Sequence, residues 1–153
     1  MKQFIAAYDD MSQLPLNSQI YHKYTKPAQE YFFPNVQNMK GQDAVGSIKN
    51  RGRVLLLVFP PPGDMAAEVV KQYGKFDGND IVIYVGEGLN GANANQKFFD
   101  HMLNKDIDEH SSDDESNGEA KYKWCILETV EVEDLLGGGK GFEKMFIFKR
   151  IKV

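Results

Sequence analysis

At 153 residues, 42% hydrophobic and 12% aromatic, the chain can bury one substantial core. No apolar run approaches the roughly 20 residues of a membrane-spanning helix, and residues 1–7 are too short for a signal-peptide core, so a soluble chain without a membrane partner is expected. The single cysteine, Cys125, excludes an internal disulfide and makes a reducing, intracellular setting the expectation. The net charge of −4 is local: residues 106–119 hold seven acids and no Lys or Arg, which leaves 18 basic and 15 acidic residues, a net +3, elsewhere.

Residues 1–50 read as an N-terminal arm. A short helix is expected to begin at Phe4-Ile5-Ala6-Ala7. From Leu14 to Met39 the chain is aromatic (Tyr21, Tyr24, Tyr31, Phe32, Phe33) and broken by Pro15, Pro27 and Pro34, which rules out regular structure throughout. Such a segment either wraps its own domain or reaches a neighbouring subunit, because its aromatics would otherwise form an exposed apolar patch. His22 with Tyr21, Lys23 and Tyr24 is too short a basic-aromatic strip to read as a nucleic-acid site.

Residues 51–153 read as a single α/β domain. A strand over 54–59 runs through Pro60-Pro61-Pro62-Gly63 into a helix over 65–73; a second strand over 81–85 runs through a glycine-rich turn into a helix over about 94–103. Two consecutive strand-turn-helix units predict parallel strands with helices on the sheet's faces. The acidic segment 106–119 follows as a solvated loop, first a tolerated insertion, with a partner-binding or phosphorylatable patch around Ser111, Ser112 and Ser116 as the alternative. Residues 122–132 and 144–152 alternate in part and are joined by a short glycine connection, which predicts an antiparallel hairpin on the edge of a small, mostly parallel sheet.

This order, with the proline turn after the first strand, resembles the C-terminal half of a class I, Rossmann-like S-adenosylmethionine-dependent methyltransferase fold over about Arg51 to Val153. In amino-methyltransferases of that family the strand ends in Asp or Asn, followed by Pro-Pro and an aromatic, and aims a side-chain oxygen and a backbone carbonyl at the target amine. Here Phe59-Pro60-Pro61-Pro62 stands in that place, and Phe59 offers no acceptor. The family's cofactor half belongs upstream, where residues 1–50 cannot hold two βα units. The resemblance therefore implies the architecture with a degenerate active site. The proline turn together with Val85-Gly86-Glu87-Gly88 also resembles uncharacterised methyltransferase-like proteins, some from large DNA viruses of amoebae, which implies a viral protein and a virion location if the chain is viral.

Gly86, Gly88 and Gly91 match the GxGxxG spacing of a dinucleotide turn, permitting a tight turn, approach of a pyrophosphate, and close helix packing. Glu87, however, puts a carboxylate where a diphosphate would sit, and the ribose-binding acid expected about 20 residues on falls, as Asp106 or Asp108, in the acidic segment. The plainer account is a βα turn whose helix is capped by Asn93 or Asn95. Gly137-Gly138-Gly139-Lys140-Gly141 lacks the spacing and the Ser/Thr of a phosphate loop and reads as a hairpin connection. His101 and His110 have no ligand partner at metal-binding spacing, and Cys125 reads as a buried structural thiol.

Two functions survive. The first is a non-enzymatic structural or interaction protein that self-associates, a dimer foremost, with no cofactor, no catalytic residues and no metal; other protein partners remain open. The second is a nucleotide- or S-adenosylmethionine-binding protein, completed as a methyltransferase by a partner subunit, whose ligand would lie among Gly86, Glu87, Gly88, Gly91, Pro60 and Pro61 at the carboxyl ends of the strands. Lys49, Arg51 and Arg53 with Lys144, Lys149, Arg150 and Lys152 raise a basic nucleic-acid face as a third, disfavoured reading.

Overall fold

The computed structural model describes residues 5–12, 33, 35–105, 122–132 and 143–153. In chain order they form β1 (Tyr8–Asp9), β2 (Gln37–Asn38), α1 (Gly41–Gly46), a 3-10 turn (Ile48–Asn50), β3 (Leu55–Val58), α2 (Met65–Tyr73), β4 (Ile81–Glu87), α3 (Gln96–Met102), β5 (Tyr122–Glu131) and β6 (Glu143–Lys152). The result is a mixed α/β architecture with two sheets: a short parallel pair, β1–β2, and a four-stranded sheet in the order β3-β4-β6-β5. The α2 crossover makes β3 and β4 parallel, and the β5–β6 hairpin then lays its second strand antiparallel against β4. Parallel pairing in the larger sheet is thus confined to one side of β4, and the hairpin supplies half of that sheet.

Helix α2 spans the residues expected for it. Ala66, Val69, Val70 and Tyr73 recur at helical spacing and are all buried, while Glu68 and Lys71 stay outside. Helix α3 starts at Asn95, whose side chain accepts a hydrogen bond from the Phe98 amide at 3.1 Å, so Asn95 is the cap and Asn93 is used elsewhere. Phe98, Phe99 and Met102 face inward and meet Tyr84 of β4, with ring centroids 5.0 and 5.7 Å away for the two phenylalanines. Leu57, Val82, Phe148 and Trp124 complete this core from the sheet side.

The first fifty residues depart from an irregular arm in two places, and the helix expected from Phe4 is not seen over Ile5–Ala7. Tyr8–Asp9 pairs with Gln37–Asn38. Residues 41–50 form α1 and the 3-10 turn, and Val45 of α1 belongs to the same core as the sheet. A Cβ on Gly41 would lie 2.7 Å from Val69 Cγ2, so its missing side chain lets α1 approach α2 closely. The aromatic segment 13–32, the acidic segment 106–119 and the glycines 137–141 lie outside the described residues.

Two tyrosines pin the ends of the parallel pair. At the start of the strands the Tyr73 hydroxyl sits between the carbonyls of Arg53 and Ile81, at 2.7 and 2.9 Å. Beside it the fully buried Asn79 accepts from the Gly52 amide at 2.7 Å and donates to the Tyr73 carbonyl at 3.1 Å. At the other end the Tyr84 hydroxyl donates to the Glu87 carbonyl at 2.7 Å. These contacts give main-chain carbonyls, and the Gly52 amide, side-chain partners at the strand ends.

The helices do not flank the sheet on both faces, as two βα units predict. Those described pack on the face presented by Leu57, Val82, Tyr84, Phe148 and Trp124. The reason lies in the connection order: only one crossover joins neighbouring strands, and the hairpin that completes the sheet brings no helix of its own among the described residues.

Candidate functional site

The turns after β3 and β4 meet at the carboxyl ends of the strands. Phe59 leaves β3 with φ of 46° and its amide bonded to the Val85 carbonyl at 2.8 Å; Pro60 behind it is buried. The Pro60 carbonyl then accepts from the Ala94 amide at 3.2 Å and from Asn93 Nδ2 at 3.4 Å. The crevice that would hold a ligand between the two turns is therefore bridged by direct hydrogen bonds. Phe59 and the buried Ala94, with φ of 57°, both hold left-handed backbone on either side of this bridge, a strained conformation for residues with a Cβ.

Glu87 turns its carboxylate into the glycine loop. Its Oε2 accepts from the Ala92 amide at 2.7 Å, and its own amide donates to Asn93 Oδ1 at 3.2 Å. A Cβ on Gly91 would lie 2.2 Å from Glu87 Cβ and 2.7 Å from Oε2. Gly91 is thus a glycine because the glutamate occupies the space above it, and the loop amide that an anion would use already faces a carboxylate. Gly86 is held for the same kind of reason, since a Cβ there would lie 2.8 Å from the Tyr84 hydroxyl and 3.1 Å from Asn93 Oδ1. Gly88 differs: a Cβ would make only an ordinary 3.8 Å contact with Phe146.

The structure therefore brings Gly86, Glu87, Gly88, Gly91 and Pro60 together around one bridged turn, with Pro61 exposed at its rim. Burial pushes the Tyr84 hydroxyl from 10.0 up to about 12, with a lesser contribution from the nearby Glu87 charge, so it is a hydrogen-bond donor rather than a base. At the start of α2, Asp64 pairs with Lys97 at 3.0 Å and accepts from Asn95 at 2.7 Å, and hydrogen bonding to Lys97 holds its carboxyl below the ordinary value. These contacts staple α2 to α3. Among the described residues, no group of three or more His, Cys, Asp or Glu side chains is placed to hold a metal ion. Cys125 is half-buried, its thiol 3.3 Å from the Lys149 carbonyl.

Four of the basic residues are engaged one by one. Arg51 stacks over Phe76, with 4.4 Å from Cζ to the ring centroid. The buried Arg150 lies over Tyr122 at 4.3 Å and donates to the Phe76 carbonyl at 2.9 Å. Lys149 pairs with Asp80, and Lys144 pairs with Glu131 at 2.7 Å. These side chains serve as struts within the sheet domain and do not assemble into a free basic strip.

A larger surface was not singled out from the sequence. On the face opposite the helices, β-register aligns Leu56, Ile83, Ile147 and, at the β5 edge, Glu128 in one row, and Val58, Val85, Met145 and Val130 in the next. Leu56 is 58% exposed and Val58 52%, and the inner members of both rows are half-buried. The signal was present in Leu55-Leu56-Leu57-Val58 and Ile81-Val82-Ile83-Tyr84-Val85, which are apolar on both faces. The rows end in charge. Lys149, with Asp80, and Lys123 lie toward the start of β4, whereas Glu143, paired in register with Glu87, lies toward its end.

No protein-family model matches the chain, and neither a curated protein nor a solved structure matches it. No helix among the described residues is long and apolar enough to cross a membrane.

Proposed function

We propose that this chain is a non-enzymatic interaction protein that self-associates, built on a truncated, methyltransferase-like Rossmann sheet. The observation that carries this reading is the sheet face of Leu56, Val58, Ile83, Val85, Met145 and Ile147, which no described helix covers. Fully burying a side chain of this size contributes about 1.5–3 kcal/mol, so several together supply a driving force for association. The bridged turns and the inward Glu87 favour this reading over a nucleotide or S-adenosylmethionine site. Phe59, in the place of a catalytic Asp or Asn, supports it further.

Native mass spectrometry of the purified chain, alone and with S-adenosylmethionine, NAD and ATP, tests it. The expected result is a ligand-free homo-oligomer that Ile83→Lys converts to monomer. A wild-type monomer at high concentration, or a retained nucleotide lost in a bulky Gly88 variant, would overturn it. Gly88 suits that control because its surroundings accept a Cβ.

A further inference from the structure

The open face is apolar at its centre and dipolar along the strands, and that pattern identifies its occupant. Along β6, the residues that point to this face are Glu143, Met145, Ile147, Lys149 and Ile151. A face with acid at one end, base at the other and mainly apolar side chains between, with Glu128 at its β5 edge, is complementary to itself when turned end for end. We infer that a second copy of this chain covers the face, related by a two-fold axis that lies between the sheets and runs across the strands. This inference rests on the self-association proposed above and adds the register.

With the axis midway between the two apolar rows, β6 packs over the partner's β6 in the opposite direction. Ile147 then faces Met145 across the axis, Ile83 faces Val85, Leu56 faces Val58, and the exposed Glu128 lies over Val130 at the solvent-facing β5 edge. Branched and flexible side chains of similar size interdigitate in this way when sheets stack about 10 Å apart. The same operation sets Lys149 over Glu143, twice per dimer, at the borders of the apolar rows. A head-to-head arrangement with the axis along the strands would instead oppose like ends, which electrostatics disfavours. Lys149 and Asp80 are each only partly exposed and already paired, so Lys149 is held in place.

Two charge reversals and their mixture test the register. Lys149→Glu and Glu143→Lys each place like charges opposite one another at both contacts. Either variant alone is expected to weaken dimerisation by about tenfold or more in sedimentation or native mass spectrometry. An equimolar mixture restores Lys–Glu at both contacts, so heterodimers at wild-type affinity are expected. That recovery also reports that both variants fold, including the one that loses the pair with Asp80. A wild-type dimer indifferent to both reversals would overturn the register while leaving self-association standing. So would weakened variants that the mixture fails to rescue. A wild-type monomer would overturn both proposals, and resistance of its Met145 to peroxide oxidation would place a segment of its own chain on the face.

Discussion

The two faces of the four-stranded sheet carry nearly the same kinds of residue and have different fates. Val82 and Tyr84 are fully buried beneath α2 and α3; Ile83 and Val85, one position along the same strand, are left half-buried. The difference teaches that strand composition states how much apolar surface must be covered, not what covers it.

The largest effect expected from this contrast lies under the helices. Phe98→Ala removes a fully buried ring that packs on Tyr84 and Phe99 and should cost about 3–5 kcal/mol, measured by urea unfolding. A loss below about 1 kcal/mol would mean that α3 contributes little to the core.

A smaller effect concerns the Tyr84 hydroxyl. Its folded-state pKa is raised above that of the unfolded chain, so the protonated form stabilises the fold. That stability is complete below pH 10.0 and is lost as pH rises through about 12, on the order of 2 kcal/mol. Unfolding followed across this window should show a steep alkaline decline in the wild type and a shallower one in Tyr84→Phe, and equal slopes would reject the assignment.

Next in size is the strain beside the bridged turns. Phe59→Gly removes a half-exposed ring but relieves a left-handed backbone, and should raise stability by about 1 kcal/mol in thermal unfolding. A decrease would show that the ring's contacts outweigh the strain.

The smallest change in folding is expected on the open face, where Leu56→Thr should shift unfolding of the isolated chain by less than about 0.5 kcal/mol. The same variant should weaken association clearly in sedimentation. If it lowered folding stability as Phe98→Ala does, the two faces would not differ as described.

Much of the sheet domain was legible because its signals are local. The helix over Met65–Tyr73 follows from spacing alone, and the start of α3 was narrowed to Asn93 or Asn95, of which the structure uses Asn95. Helix α1 was not legible: six residues bounded by Gly41 and Gly46, with no side-chain cap, carry no helical signal and depend on contact with α2. The sidedness of the helices escaped for another reason. Parallel strands usually lie between two helical layers, and Leu56 and Val58 look alike whether a helix or another molecule lies over them. Of the turn, Glu87 was legible as an obstacle to a diphosphate; its hydrogen bond to the Ala92 amide depends on loop geometry that spacing cannot show.

That glutamate makes the glycine loop a receptor with its own ligand attached. A dissolved anion competing for the Ala92 amide meets a tethered rival whose effective concentration is at least of millimolar order. Selection for a nucleotide at this turn would have to remove the tether first, and Glu87→Ala does so in one step, leaving the Ala92 amide without its carboxylate.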